Sequence, residues 1–447
     1  MGQRHAISST RILGPEGFLA GHLILNGRLI EAVLSHGELP ADISRTEVGN
    51  LVVMPGVIDP HVHINEPGRT NWEGFESATK AAAAGGTTTL VDMPLNSSPV
   101  TTNVSALQQK LAAANGQIYV NCGFWGGFVP DSITELEELL SSGVLGIKVF
   151  MTDSGLDDFQ AVDKKSLLAA MQIMNRYQLP LLAHAEIASP LPYPDPFTDN
   201  HHSYQAHLRS RPASWELDAI EMLITLCEQT GTPAHVVHLA TAKAIESLKE
   251  ARRNLPITVE TCPHYLYFSS DDIPDGRPEF KCTPPIRSRD NNSVLWQALE
   301  AGHIDFVATD HSPAPPELKC LDSGDLRNAW GGISSIQFLL PTIWTKCLQQ
   351  GKSFDFLVKI LCENAASFIG QTSKGKILPG YDADLVIWDP DTPFTVTPET
   401  IHYRHKISPY MGESLMGVVH MTYVNGQQVY HKGQFSPTPA GDILLNS

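Results

Sequence analysis

The sequence predicts an α/β protein, namely a (β/α)8 TIM-like barrel with a small β-sandwich domain built from both chain ends. Eight apolar strand-like segments alternate with helix-like segments between residues 52 and 313, which is the pattern of a parallel barrel with a filled core. Glycine follows several of the helices, as is usual at a helix C-terminus. An open doubly wound sheet is the alternative, but no G-x-G-x-x-G motif follows the first strand.

The elements follow one another in a regular order. Residues 1–54 hold short apolar runs broken by glycine, which predict small antiparallel strands. Barrel strands are predicted at 52–63, 87–94, 117–126, 146–151, 179–186, 233–240, 257–266 and 304–313. Helices are predicted between them at 73–84, 103–114, 131–142, 164–177, 215–229, 241–253 and 291–301.

After the eighth strand the chain holds two more predicted helices, at 333–348 and 353–368, and becomes strand-like from Lys374 onward. The turn signals Lys374-Gly375 and Asn425-Gly426 punctuate this last segment. We expect it to join the N-terminal strands in one sandwich, which gives the predicted domain division 1–54, 55–370 and 371–447.

Two long irregular stretches, 187–214 and 313–332, follow the fifth and eighth strands. Long loops at the C-terminal face of a barrel usually shape the active site. We therefore expect both stretches to border the functional cavity.

Composition excludes several kinds of partner. The net charge of −17 argues against nucleic acid or an anionic membrane, since both require a basic face. The seven cysteines are scattered without a C-x-x-C pair, so neither disulfides nor a structural zinc site is predicted. No signal peptide and no membrane span are recognisable. We expect a cytoplasmic protein that acts on a small molecule.

Metal-binding side chains gather at the predicted C-terminal ends of five strands, where a parallel barrel places its catalytic groups. They are His61 and His63 on the first strand, Lys148 on the fourth, His184 on the fifth, His238 on the sixth and Asp310 on the eighth. His61 and His63 are two residues apart, so both imidazoles point to one face. Because imidazole is the commonest protein ligand for transition metals, this set predicts a metal centre.

Three other polar residues near the strand ends are given different roles. His235 lies three residues before His238 and faces the opposite side of the strand, so we assign it to packing or to the outer face. His264, after the seventh strand, either supports the metal ligands or is structural. Asp92, after the second strand, is expected to orient loops.

Lys148 stands inside the apolar strand GIKVF, where a charged lysine is costly to bury. Either it pairs with a neighbouring carboxylate, or burial and nearby cations deprotonate the amine, which then adds carbon dioxide. The resulting carbamate (N6-carboxylysine) has two oxygens and could bridge two metal ions.

Motifs along the whole chain resemble the amidohydrolase superfamily, and its cyclic amidases in particular. They are PGVIDPHVH at 55–63, the lysine of GIKVF, the later histidines, TDHSP at 309–313, GYDADLVIWD at 380–389 and SPYMGESLMGVV at 408–419. The resemblance implies two divalent ions, most simply zinc. One is expected on His61, His63, Lys148 and Asp310, and the other on carboxylated Lys148, His184 and His238. It also implies that a metal-activated hydroxide attacks a ring amide, with Asp310 as general base and then general acid.

The subfamily depends on a few positions. Dihydroorotases carry an arginine two residues after His-x-His, where this chain has Asn65, and hydantoinases carry a tyrosine where it has Asp153. The segments HINEPGRTNWEGF, DMPLNSSPVT and KCTPPIR resemble those of allantoinases, which open allantoin to allantoate in purine catabolism. The resemblance implies substrate contacts by Asn65, Asn96 and Thr283, and a homotetramer.

Four other functions are alternatives for a chain of this pattern. A hydantoinase or dihydropyrimidinase is the first alternative, and a dihydroorotase the second. A non-enzymatic scaffold of this fold would lack several metal ligands, whereas all six positions are filled here. A mononuclear deaminase would not need the lysine.

Overall fold

Both chain ends supply strands to one mostly β unit, as the sequence predicted, and these strands form one large sheet. The computed structural model describes residues 4–35, 37, 39–40, 43–190 and 195–446. The N-terminal strands are β1 (Arg4–Gly14), β2 (Gly17–Asn26), β3 (Leu29–Ser35) and β4 (Ser44–Pro55). Strands β1, β2 and β3 pair antiparallel, and β4 runs parallel to β1.

The barrel strands follow, and all eight predicted strands are present. They are β5 (Val57–Val62), β6 (Thr87–Asp92), β7 (Asn121–Phe124) with its continuation β8 (Gly126–Gly127), β9 (Ile147–Phe150), β10 (Leu181–His184), β11 (Ala234–Val236), β12 (Ile257–Thr261) and β13 (Phe306–Val307). Neighbouring strands pair in parallel, and a bridge between Val62 and His311 links the last strand region to the first. Nearly every strand residue is buried, as expected for a parallel barrel.

Helices surround the barrel, most of them at the predicted places. They are α1 (Phe75–Ala84), α2 (Val104–Ala114), α3 (Leu136–Leu140), α4 (Lys164–Met174), α5 (Tyr204–Ser210), α6 (Ala213–Thr230), α7 (Ile245–Ala251), α8 (Pro263–Tyr267), α9 (Arg289–Glu300), α10 (Leu339–Gln349), α11 (Phe354–Val358) and α12 (Asn364–Phe368). Side-chain caps fix several N-termini, as where Asn103 accepts from the N–H of Ala106. None of the helices within the described residues is long and apolar enough to cross a membrane.

Three predicted elements were wrong in detail. The predicted strand 52–63 is two strands, because the chain passes from the sheet to the barrel at Gly56, where a Cβ would lie 2.2 Å from the Thr88 side chain. The predicted strand 257–266 ends at Thr261, since Pro263 begins α8 and proline favours the first helical turn. The stretch 187–214, predicted irregular, contains α5 and the start of α6.

The C-terminal strands complete the large sheet. They are β14 (Leu385–Thr395), β15 (Ser414–Val424), β16 (Gln427–His431) and β17 (Gln434–Phe435), and the order is β17-β16-β15-β14-β4-β1-β2-β3. The predicted α/β fold class, a barrel beside a mostly β unit from both chain ends, is confirmed. The domain boundaries at residues 54 and 370 stay a proposal.

The tail beyond this sheet returns to the barrel. Strand β18 (Ile443–Leu444) pairs in parallel with β7, and the N–H of Cys122 donates to the Asp442 carbonyl at 2.9 Å. Two residues after β18, the N–H of Asn446 donates to the carbonyl of Gly143 at 2.8 Å. The last residues therefore extend the barrel sheet at its third strand, which the sequence pattern did not predict.

Candidate active site

The predicted metal ligands meet at one end of the barrel. His61, His63, Lys148, His184, His238 and Asp310 come from five strand ends, and all six line one cavity of about 410 Å³. All six are buried. This arrangement agrees with the prediction that parallel strands bring these side chains together at one end of the barrel.

Three of the six form a compact donor set. The Nε2 atom of His61 lies 3.1 Å from Asp310 Oδ1, and that of His63 lies 3.3 Å from the same oxygen. Ligand atoms of all three residues lie within 4.8 Å of one another. Two imidazoles and a carboxylate at this spacing suit a divalent transition metal.

Lys148 reaches the same cluster on β9. Its side chain is almost fully buried, and its Nζ has no hydrogen-bond partner among the described residues. Burial lowers the pKa of this amine to about 7 against the opposing pull of Asp310 and Glu260. Pairing with a neighbouring carboxylate, the first alternative for this lysine, is not observed in the described part of the chain.

His184 and His238 form the other side of the cluster. The Nδ1 atom of His184 lies 3.0 Å from Nε2 of His238, and the Nε2 atom of His184 lies 2.9 Å from Glu186 Oε2. The Nδ1 atom of His238 is buried without a partner among the described residues. Burial holds the pKa of both imidazoles well below the usual value, which keeps them in the neutral form that binds metals.

Backbone strain is concentrated here. His238 and Asp310 have φ angles of +39° and +47°, and Asn65 and Asn96 both have +66°. Residues other than glycine rarely adopt such angles, and each costs of order 1–3 kcal/mol. Four of the predicted site residues therefore hold conformations that the surrounding structure must enforce.

Glu260 is a functional candidate that sequence reasoning missed. Its carboxylate, fully buried on β12, accepts from His61 Nδ1, from His235 Nε2 at 3.1 Å and from the N–H of His238 at 3.3 Å. His235 also stacks on Phe306, which agrees with its assignment to packing. The available signal was an acidic residue within the apolar strand Ile257–Thr261.

Two further buried acids, also not predicted, hold the His184 and His238 side of the cluster. Glu186 contacts His184 and accepts from Arg211 Nη1 at 2.5 Å. Glu216 pairs with Arg287 and accepts from the backbone N–H groups of Ala240 and Thr241 at 3.0 Å, just after His238. Such outer contacts orient metal ligands and set their tautomers.

The other polar residues of the sequence analysis take clear places. Asp92 accepts from the N–H of Ile64 at 2.8 Å and pairs with the buried Lys110 at 2.6 Å, so it orients the segment after His63, as expected. His264 is fully buried, and neither ring nitrogen has a partner among the described residues. Burial lowers its pKa to about 4, so the ring is neutral at pH 7.

The predicted substrate contacts divide into two groups. Asn96 and Thr283 line the cavity, as does Asp153. Asn65 is not among the described lining residues, and its Nδ2 donates to the carbonyl of Pro313 at 3.3 Å. Asn65 therefore holds the loop after Asp310 in this structure.

Comparison with known proteins gives a consistent result. Residues 52–429 match the model of the amidohydrolase family. Allantoinase from Arabidopsis thaliana is 42% identical, with 98% of this chain and 90% of that protein covered. Allantoinase from Saccharomyces cerevisiae is 43% identical over 90% and 87% of the two chains. Among solved structures, the L-hydantoinase (dihydropyrimidinase) of Arthrobacter aurescens superposes with a TM-score of 0.92 at 28% identity, with 98% and 99% covered.

Proposed function

The chain belongs to the amidohydrolase family, and from that premise we propose that it opens the ring amide of allantoin by metal-dependent hydrolysis, giving allantoate. The observation that carries the substrate is the identity of 42% to a curated allantoinase over nearly the whole chain. The solved hydantoinase has the same fold at only 28% identity. Asp153 in place of the hydantoinase tyrosine agrees with this choice.

The residues of the cluster fit two divalent ions, most simply zinc. We assign one ion to His61, His63, Lys148 and Asp310, and the other to Lys148 as N6-carboxylysine, His184 and His238. Two buried atoms support this fit. Lys148 Nζ and His238 Nδ1 have no hydrogen-bond partner among the described residues, and buried polar atoms normally have one. When bound, paired ions acidify water and polarise a carbonyl.

Asp310 is the proposed proton carrier of the reaction. The nearby imidazoles hold the pKa of its carboxyl well below the usual value, although burial alone would raise it. It is therefore ionised at pH 7 and can take a proton from the attacking water at a carboxylate oxygen. The same carboxyl would then deliver that proton to the departing ring nitrogen. Without the proton this nitrogen would depart as an anion and would be a poor leaving group.

The cavity walls supply the substrate environment. Asn96 and Thr283 line the cavity and are proposed to contact the ring, whereas Asn65 is proposed to act on substrate only through the loop it holds. Trp330 and Phe197 add apolar surface to the same cavity. Small-molecule sites usually combine such apolar walls with a few placed polar groups.

A hydantoinase or dihydropyrimidinase activity is the second candidate. The near-complete superposition on the Arthrobacter aurescens enzyme favours it, because the same barrel and both chain ends are shared. Unsubstituted hydantoin would fit wherever allantoin fits, since allantoin is a hydantoin that carries a ureido arm. The two activities are therefore distinguished by preference rather than by the presence of turnover.

We also propose that the protein is a cytoplasmic homotetramer in purine catabolism. The assembly and the pathway follow from family resemblance. One relative, from Aquarana catesbeiana, is named a mitochondrial allantoinase, so localisation by fluorescence microscopy is a direct check.

The proposed function is tested by hydrolysis of allantoin, hydantoin, dihydrouracil and dihydroorotate side by side, with metal-replete protein of assayed metal content. We expect kcat/KM for allantoin to exceed the others by at least tenfold, with allantoate as the product. A preference for hydantoin or dihydrouracil would favour the second candidate. No turnover of any of the four, with two metals bound, would contradict a cyclic amidase acting on these rings.

A further inference from the structure

The cationic side chains of the cavity differ in what they pair with. Arg211 pairs with Glu186 at 2.5 Å, and Arg327 pairs with Asp195 at 2.9 Å. Lys148 belongs to the proposed metal cluster. Lys281 lines the same cavity, yet no carboxylate of the described residues lies within ion-pair distance of it.

The Lys281 ammonium is held at the cavity wall. Its Nζ donates to the carbonyl of Arg327 at 3.0 Å and to that of Ala329 at 2.6 Å. An ammonium group has three N–H donors, so one donor remains after these two bonds. A partly buried cation with an unused donor stabilises an oxygen acceptor that enters the cavity.

The charge of Lys281 is retained at neutral pH. Burial lowers the pKa of its amine to about 8, with Arg211 acting in the same direction and Asp325 opposing it. The protonated form therefore predominates at pH 7. Lys281 also opens the segment KCTPPIR, and Thr283 of this segment lines the cavity beside it.

We propose that Lys281 is a specificity-determining residue whose ammonium binds the carbonyl oxygen of the substrate's ureido arm while the ring amide lies at the metal-ligand cluster. Both groups line the same cavity, which is what a single substrate that contacts both requires. The inference rests on the proposed function, because only allantoin among the candidate rings carries this arm.

A simpler role for Lys281 is to hold the wall formed by residues 327–332. The structure offers a matched control for that role in Lys319, which is almost fully buried and donates to the carbonyls of Trp330 at 2.9 Å and Gly332 at 2.7 Å. Lys319 is not among the described residues that line the cavity. Both lysines thus support one wall, and only Lys281 is placed to contact substrate.

The experiment compares Lys281→Met and Lys319→Met with the parent protein. For each, kcat and KM are measured with allantoin and with hydantoin, together with metal content and thermal midpoint. We expect Lys281→Met to lower the allantoin-to-hydantoin ratio of kcat/KM by at least tenfold, mainly through KM for allantoin, since a hydrogen bond to a charged group is lost. Lys319→Met is expected to leave this ratio within about threefold, because it affects both substrates alike.

A second variant keeps the test informative if Lys281→Met folds poorly. Lys281→Gln retains an N–H donor without the charge and should give a ratio between those of the parent and Lys281→Met. An unchanged ratio in both Lys281 variants, or an equal fall in Lys319→Met, would overturn the inference. Parent protein that opens hydantoin but not allantoin would instead overturn the proposed function, and the inference with it.

Discussion

Glu260 gives the sharpest prediction about the metal centre. Its two buried oxygens accept from three N–H donors, which belong to His61, His235 and the backbone of His238. The histidines hold the pKa of this carboxyl well below its usual value, although burial acts to raise it, so the group is ionised and accepts only. It therefore fixes the His61 tautomer in which Nε2 is free to face Asp310 and a metal.

The substitution Glu260→Gln keeps the shape and replaces one oxygen by an NH2 group. A donor then faces a donor in a site that excludes water, and one buried N–H loses its acceptor. That loss costs about 1–3 kcal/mol. At about 1.4 kcal/mol for each factor of ten, we expect metal binding to weaken by roughly 10- to 100-fold, the range typical of outer contacts to metal ligands.

The assay is competition with a chromogenic zinc chelator, combined with metal analysis of the dialysed protein. Thr258→Val is the matched control, since Thr258 contacts the other ring nitrogen of His235 at 2.7 Å and does not contact His61. The control should keep metal affinity within about threefold, because no metal ligand loses a partner. Parent-like affinity in Glu260→Gln would refute the reasoning.

Further variants test other parts of the structure. Lys148→Ala should leave at least one metal site empty by elemental analysis, and full activity in a metal-depleted preparation of it would contradict a two-metal site. Asp310→Asn removes the proposed base, so kcat for allantoin should fall about 10²- to 10⁴-fold while metal is retained. Lys110→Met leaves the Asp92 carboxylate buried and unpaired and should cost about 3–5 kcal/mol of stability, measured by denaturant unfolding. The exposed Arg253–Glu250 pair is its control, and Arg253→Met should cost about 0.5 kcal/mol or less.

The sequence predicted the barrel because its strands are apolar runs and its helices end at glycine, which are local signals. It also predicted that the candidate metal ligands gather at one face, since parallel strands all end there and His61, Lys148 and Asp310 stand at those ends. The family resemblance supplied the rest of the functional prediction. Comparison with allantoinases and the family model confirms that prediction at the level of family and activity.

What escaped prediction depends on contacts that are distant in sequence. Glu260 and His61 are 199 residues apart in the sequence, and β18 and β7 are some 320 residues apart. No local sequence pattern can therefore predict either contact. The close approach of Thr88 that requires glycine at position 56, where the first predicted strand divides, is likewise visible only in the fold. Asn65 was expected to contact substrate, but its side chain donates to the carbonyl of Pro313 in the loop after Asp310. Only the folded structure shows this contact.

The central claim is that the six-residue cluster, filled with two metal ions, opens allantoin. The most direct measurement is a titration of metal-free protein with zinc in bicarbonate buffer, following allantoin turnover and bound metal in the same samples. We predict that turnover is absent without metal and rises until two ions are bound to each subunit. Full turnover by metal-free protein, or a plateau at one ion, would contradict the account.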